Sequence, residues 1–140
     1  MPFISITRLR VRSIFTLPQF MLANEASVKQ LKKINGFLAG KELVDKHLTF
    51  WTLTIWKDEI SMKEFRNSVP HRKSMQKLPS WCCEASYFHW IQDEEKLPSW
   101  ETASQRLLKE GKLTKVRKPS ANQEKNNFPS IQWKRLERNF

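Results

Sequence analysis

The heptapeptide Phe50-Trp51-Thr52-Leu53-Thr54-Ile55-Trp56 limits what this chain can fold into more than any other stretch. It holds only aromatic, β-branched and leucine side chains, with no charge, glycine or proline, which is the composition of a pleated strand buried on at least one face. Side chains alternate across a strand, so Trp51, Leu53 and Ile55 share one face and Phe50, Thr52, Thr54 and Trp56 the other. The first face belongs to a core. The second sets hydroxyls among aromatics and is open to water, a ligand or a second subunit, so what covers it is the functional question.

The segments around this central strand read in order. Phe3 to Val11 alternates Ile4 and Ile6 with Ser5 and Thr7 before Arg8, Arg10 and Arg12, a first strand leaving the core at its C-terminal end. Thr16 caps a helix with Pro18 in its first turn and an apolar stripe of Leu17, Phe20, Met21, Val28, Leu31 and Ile34. Lys32 and Lys33 suit its C-terminal dipole, and Asn35-Gly36 closes it. Asn24 interrupts the stripe, either hydrogen-bonded within the core or lining a cavity. Residues 37–47 form a second strand with a bend or bulge at Gly40, and the turn into the central strand is too short for a crossover, so the two form a hairpin.

Asp58 caps a second helix with Met62, Phe65 and Val69 on one face; Pro70 interrupts it, and a kinked continuation runs from His71 to Leu78, ended by Leu78-Pro79-Ser80-Trp81. Ala85 to Gln92 alternates as a fourth strand. Ser99 starts a further helix that presents Trp100, Ala103, Leu107 and Leu108 and stops at Gly111. The tetrapeptide Leu-Pro-Ser-Trp recurs at 78–81 and 97–100 without the surrounding similarity of a repeat.

This order is α+β: a ferredoxin-like βαββαβ antiparallel sheet with both helices on one face, an extra C-terminal helix and a tail. Residues 1–111 form the domain. Residues 112–140 form a basic C-terminal tail, partly docked because Phe128, Ile131 and Trp133 are too apolar for a wholly solvated one. The sheet face opposite the helices needs a cover, since apolar area left in water costs roughly 25 cal/mol per Å². A two-fold homodimer that stacks its sheets supplies it.

Charge is informative by position. The net charge is +11, but residues 112–140 hold eight Lys/Arg against two Glu, leaving only +5 on the rest of the chain. A nucleic-acid partner, disfavoured on that distribution, would use the tail. No apolar run reaches the ~20 residues of a membrane span, and the N-terminus passes straight into strand-like alternation without a signal core, so the chain reads as cytoplasmic. Cys82 and Cys83 are adjacent and poorly placed for a structural disulfide, which leaves reduced thiols. Phosphate loops, zinc spacings and Ser/His/Asp orders are absent from the sequence.

Several segments together resemble an uncharacterised bacterial family: Ile4-Ser5-Ile6-Thr7-Arg8-Leu9-Arg10, Gly36-Phe37-Leu38-Ala39-Gly40, the central strand, Phe65-Arg66-Asn67-Ser68 with His71-Arg72-Lys73, and Lys115-Val116-Arg117-Lys118-Pro119-Ser120. That family is similar to spheroidene monooxygenase and, more remotely, to antibiotic-biosynthesis and haem-degrading monooxygenases of the dimeric α+β barrel superfamily. The resemblance implies a homodimer and a monooxygenase-like activity on a hydrophobic or aromatic small molecule, haem-dependent or cofactor-free. A non-catalytic small-molecule-binding dimer is the alternative, and a nucleic-acid-associated protein using the basic tail the third reading.

His71 falls where haem-binding members carry their axial histidine, and Arg66, Arg72 or Lys73 would meet the propionates. Haem degraders also use a first-strand asparagine and a second-helix tryptophan; here the first strand offers Ser5, Thr7 and Arg8, and Phe65 stands near the tryptophan's place. Cofactor-free oxygenases of this fold need a base and a shaped pocket, for which Asn24, His71 and Arg8 are the catalytic candidates. Trp51, Trp56, Phe65 and His89 are candidates for the substrate pocket. His89, alternating with Tyr87 and Ile91, reads as a satisfied core or interface histidine or as a base, and His47 as exposed.

Overall fold

Phe50–Trp56 lies within strand β3 (Thr49–Trp56), which is paired on both edges. Its neighbours are β1 (Phe3–Val11) and β2 (Phe37–Asp45), both antiparallel to it. The computed structural model describes residues 1–134 and 136–140. The remaining elements are α1 (Leu17–Leu31), α2 (Glu59–Arg66), α3 (Val69–Trp81), β4 (Cys82–Ile91), α4 (Trp100–Glu110), β5 (Lys112–Leu113), α5 (Ala121–Lys125) and β6 (Leu136–Asn139). The sheet order is β5-β4-β1-β3-β2-β6. Its four central strands carry the expected ferredoxin-like connection. The sheet is nevertheless six-stranded, because segments on either side of α5 return to pair with the outer edges of β4 and β2.

Register decides what each face carries. Ser5 pairs with Thr54 and His89, and Thr7 with Thr52 and Tyr87, so all six point to one side, while Ile4, Ile6, Trp51, Leu53 and Ile55 point to the other. The aliphatic face packs on Trp100, Ala103 and Leu107 of α4, with Ile131 against the same cluster. The face expected to await a second subunit carries α1 to α3 instead, and the opposite face is covered by the chain's own α4. The exposed-face premise for a sheet-stacked homodimer therefore has no counterpart here.

Three local expectations are corrected. The bulge in β2 falls at Leu38, where the register shifts between Phe37 and Ala39. Gly40 serves close approach instead: a Cβ there would sit 2.8 Å from the Phe140 ring, whose backbone N–H donates to the Gly40 carbonyl. Met21 and Val69, assigned to apolar faces, are about half exposed. The helix runs through Pro79 to Trp81. The donor that Pro79 lacks would have reached the carbonyl of Met75, on a partly exposed turn where water can serve it.

Caps behave as their chemistry dictates. Asp58 accepts from the Ser61 N–H at 2.8 Å and starts α2; Ser99 accepts from the Thr102 N–H and starts α4. Thr16 occupies the cap position of α1, but its hydroxyl donates to the carbonyls of Ser13 and Trp81, tying the β1–α1 turn to the end of α3. Gly36, at φ +110°, makes the turn into β2 that an L side chain would resist.

Candidate functional site

Side-chain size along the helix-facing side of the sheet creates a hollow. Phe3 and Trp56 pack with Leu31 and Met62 at one end, and Leu9 and Phe50 pack with Phe20, Leu78 and Trp81 at the other. Between these ends β1 and β3 present Ser5, Thr7, Thr52 and Thr54, β4 adds Tyr87 and His89, and α1 and α3 bridge the gap. The result is a cavity of about 480 Å³ with a hydroxyl floor and apolar ends. That is the size and character of a small-molecule site. Part of the floor is already committed, since Trp56 Nε1 donates to Thr54 Oγ1 at 2.9 Å.

His71 lines this cavity from the first turn of α3. Its Nδ1 lies 3.1 Å from the carbonyl oxygen of Arg66. A carbonyl only accepts, so Nδ1 carries the proton, and in the neutral ring Nε2 keeps a lone pair for the cavity. Burial pulls the His71 pKa below its ordinary value, and the Arg66 charge acts in the same direction, although the hydrogen bond to the Arg66 carbonyl opposes both. The ring packs 4.7 Å from Phe65, which stacks in turn on Trp56. His89 reaches the same cavity from β4, between Phe3 and Tyr87. Burial, then Arg66, depresses its pKa as well.

Asn24 satisfies both readings left open for it. Its Nδ2 donates to Glu42 Oε2 at 2.8 Å, and the residue lines the cavity, to which its carbonyl oxygen remains available. Glu42 also accepts from Arg138 Nε at 3.1 Å, so the C-terminal strand helps to fix the amide.

The structure thus brings His71, Asn24, Trp56, Phe65, Arg66 and His89 together around one cavity. Arg8, Trp51 and Arg72 do not join them. Alternation sends Arg8 and Trp51 to the opposite sheet face, where the Arg8 guanidinium lies 5.5 Å from the Trp51 ring centroid. Arg72 is exposed on the outer side of α3. The residues missed from sequence are Tyr87 and the Glu42 carboxylate; the floor hydroxyls were read only as a face open to water, a ligand or a second subunit. The signal for a shared floor was the alternate phase of Ser5/Thr7 and Thr52/Thr54, small polar residues that register sets side by side.

Arg8 belongs to a separate buried network. Its Nη1 donates to Glu84 Oε1 at 2.6 Å, while Arg10 and the Ser120 hydroxyl donate to Glu84 Oε2 at 3.1 and 2.7 Å. Burial works against the Glu84 charge, but the Ser120, Arg8 and Arg10 contacts together hold its pKa below the usual carboxylate range. Phe128 stacks over the Arg8 guanidinium at 4.5 Å, and the Asp45 carboxylate accepts from the backbone N–H groups of Lys46, Gln132 and Trp133. These contacts seat the segment after α5 on the sheet. A polar cavity of about 180 Å³ lies among them.

The cysteines are free, and burial raises the Cys82 thiol to about 12 and that of Cys83 in the same direction, which suits neither for nucleophilic work. Among the described residues no cluster of three His, Cys, Asp or Glu has metal-site geometry. The donor set meets only part of what a haem requires. His71 Nε2 suits an axial position, but of the cations expected for two propionates only Arg66 borders the cavity, with Arg72 turned outward. No helix among the described residues is long and apolar enough to cross a membrane.

No family model matches the chain, and no curated protein matches it. Solved structures do. A protein from Mycobacterium tuberculosis aligns with 68% of this chain and 98% of its own, at 11% identity and a TM-score of 0.61. SnoaB, a cofactor-independent oxygenase from Streptomyces nogalater, aligns with 70% of this chain and 98% of its own, at 13% identity and a TM-score of 0.55. An antibiotic biosynthesis monooxygenase aligns with 66% of this chain and 99% of its own, at 9% identity and a TM-score of 0.58. At such identities the likeness is one of architecture: this chain has the α+β, ferredoxin-like fold that these proteins share.

Proposed function

We propose that the chain is a monooxygenase-like enzyme acting on a hydrophobic or aromatic small molecule held in the cavity between the sheet and α1 to α3, with His71 as the base. The observation that carries this reading is the pairing of an apolar-ended cavity with a histidine whose Nε2 is left unprotonated by its Nδ1 contact. SnoaB, described as a cofactor-independent oxygenase, shares the fold and supports the same class.

The chemistry needs only substrate, dioxygen and a base. Nε2 removes a proton from an activated methylene of the substrate, and the anion passes one electron to dioxygen. The radical pair joins through a C–O bond, and the imidazolium returns its proton to give a hydroperoxide. Loss of the remaining C–H proton and cleavage of the O–O bond leave a carbonyl and release water. One oxygen atom ends in the product and the other in water, with both pairs of electrons drawn from the methylene. Asn24 and Tyr87 are placed to orient the substrate, and the floor hydroxyls to bind its polar edge. A polyene of the kind a spheroidene monooxygenase would use falls in the same hydrophobic class. A second copy, in a homodimer, docks away from the face that α4 closes.

Oxygen uptake with a panel of planar, acidic methylene compounds tests this. The expected result is one dioxygen consumed per turnover, falling by about 10²-fold or more in His71→Gln, the scale of a lost general base. Saturable binding without oxygen uptake by any member of the panel would make the chain a small-molecule-binding protein. Haem titration run alongside, with a Soret shift lost in His71→Gln, would instead favour iron chemistry.

A further inference from the structure

The turn between β1 and α1 leaves Ile14 and Phe15 68% and 86% exposed, adjacent in sequence and held outward by a fixed backbone. The Phe15 N–H donates to Ser13 Oγ, the Thr16 N–H to the Ser13 carbonyl, and the Thr16 hydroxyl to the Trp81 carbonyl. Two large apolar side chains displayed on a braced turn lie outside any core and outside the cavity.

Their surroundings are basic. The Arg12 backbone N–H donates to Trp81 and its Nε to the Ser80 carbonyl, and the Arg117 N–H donates to the Pro79 carbonyl, so three segments meet at the C-terminal end of α3. Residues 12–16, 77–81 and 115–119 supply Arg12, Lys77, Lys115, Arg117 and Lys118, all exposed, and contain no Asp or Glu. A second copy of this chain is disfavoured as the occupant, because two-fold contact would set these cations against their own images. A nucleic acid matches the charge and can stack a base on Phe15, but it gains little from Ile14, an aliphatic side chain with no face for stacking. An anionic bilayer surface matches both features, with apolar side chains entering the headgroup boundary while Lys and Arg meet acidic lipid.

We infer that this corner, with Ile14 and Phe15 at its tip and Arg12, Lys77, Arg117 and Lys118 around it, docks the protein peripherally on membranes rich in anionic lipid. The inference is independent of the cavity's chemistry, and its readout is partition onto vesicles.

Co-sedimentation with vesicles of phosphatidylcholine, with and without phosphatidylglycerol, provides the test, using the full chain, Ile14→Ser/Phe15→Ser and Arg117→Gln/Lys118→Gln. All four positions are exposed, and an unchanged melting temperature confirms that each variant is folded. The expected result is binding only to the anionic vesicles, weakened by added salt. Arg117→Gln/Lys118→Gln should lose tenfold or more, since one basic residue at such a surface contributes roughly fivefold, and Ile14→Ser/Phe15→Ser should lose as much by removing the buried apolar area. The inference is overturned if the full chain ignores anionic vesicles, or if Ile14→Ser/Phe15→Ser binds them as the parent does. Tighter binding to a single-stranded oligonucleotide that survives loss of Ile14 and Phe15 would likewise overturn it and assign the patch to nucleic acid.

Discussion

His71 Nδ1 and the Arg66 carbonyl oxygen, 3.1 Å apart across the break between α2 and α3, fix the tautomer of a histidine that lines the cavity. The break is therefore part of the site. Ser68 and Pro70 end one helix and start the next, and the last residue of α2 is left with a carbonyl that α3's first turn can reach.

The first prediction concerns pH. With the folded pKa of His71 below its unfolded value of about 6.5, the folded state favours the neutral ring. Its stability contribution is complete above pH ~6.5 and is lost as pH falls through the lower folded value. His89 acts in the same direction. Urea melts between pH 5 and 7 should show stability rising with pH, less steeply in His71→Gln. Turnover should fall in acid with an apparent pKa below 6.5; an inflection at or above 6.5 would assign the base elsewhere.

A second prediction uses the hollow. Thr52→Leu puts added carbon over the floor of a 480 Å³ cavity, so it buries apolar surface without forcing neighbours apart. Melting temperature should hold or rise while binding of planar probes is lost. A fall of several degrees would mean that the side chain meets atoms, and that the cavity is closed in solution.

Much of the architecture was legible because alternation and capping are local. Phe3–Val11 reads as a strand from Ile4/Ser5/Ile6/Thr7 alone, and Asp58 and Ser99 announce helices through chemistry one turn long. What sequence could not carry was destination. Thr52 and Thr54 say that one face is mixed, but only the return of α1 and α3 makes it a cavity floor. Arg8 was a site candidate as a polar residue that the first strand offers beside Ser5 and Thr7, yet neighbours on a strand point apart, and its partner Glu84 is 76 residues away. The extra strands β5 and β6 are two and four residues long, with no periodicity to betray them.

Glu84 carries the third prediction. It is inaccessible, and Arg8, Arg10 and Ser120 all donate to it. Glu84→Gln leaves two guanidinium groups facing a neutral amide and should cost about 3–5 kcal/mol, whereas Arg8→Met with Glu84→Leu should recover much of that. Because its folded pKa lies below the unfolded value of about 4.3, the carboxylate's contribution is present above that pH and lost as pH falls through the folded value. Acid unfolding followed by tryptophan fluorescence should begin below pH ~4.3 in the parent and disappear as a distinct phase in the double variant.

The last prediction separates docking of the C-terminal segment from folding of the sheet. Asp45 accepts the backbone N–H groups of Gln132 and Trp133, and Trp100 Nε1 donates to Glu137 Oε1, so polar contacts add to the β6 ladder on β2 and to the apolar contacts in holding the segment. Asp45→Ala strips three donors of their acceptor, the Lys46 N–H and two in the segment, at about 1–3 kcal/mol for each that stays buried, and the segment can avoid its share by lifting into water. Lifting also uncovers Ile131's place on the aliphatic face and frees Arg138 from Glu42 and hence from Asn24. Amide exchange at residues 131–134 and 136–139 should therefore accelerate by tenfold or more while β1 and β3 stay protected, and the cavity should bind probes less tightly through its loosened Asn24. Uniform acceleration across the sheet would instead show that the segment folds as one unit with the four central strands.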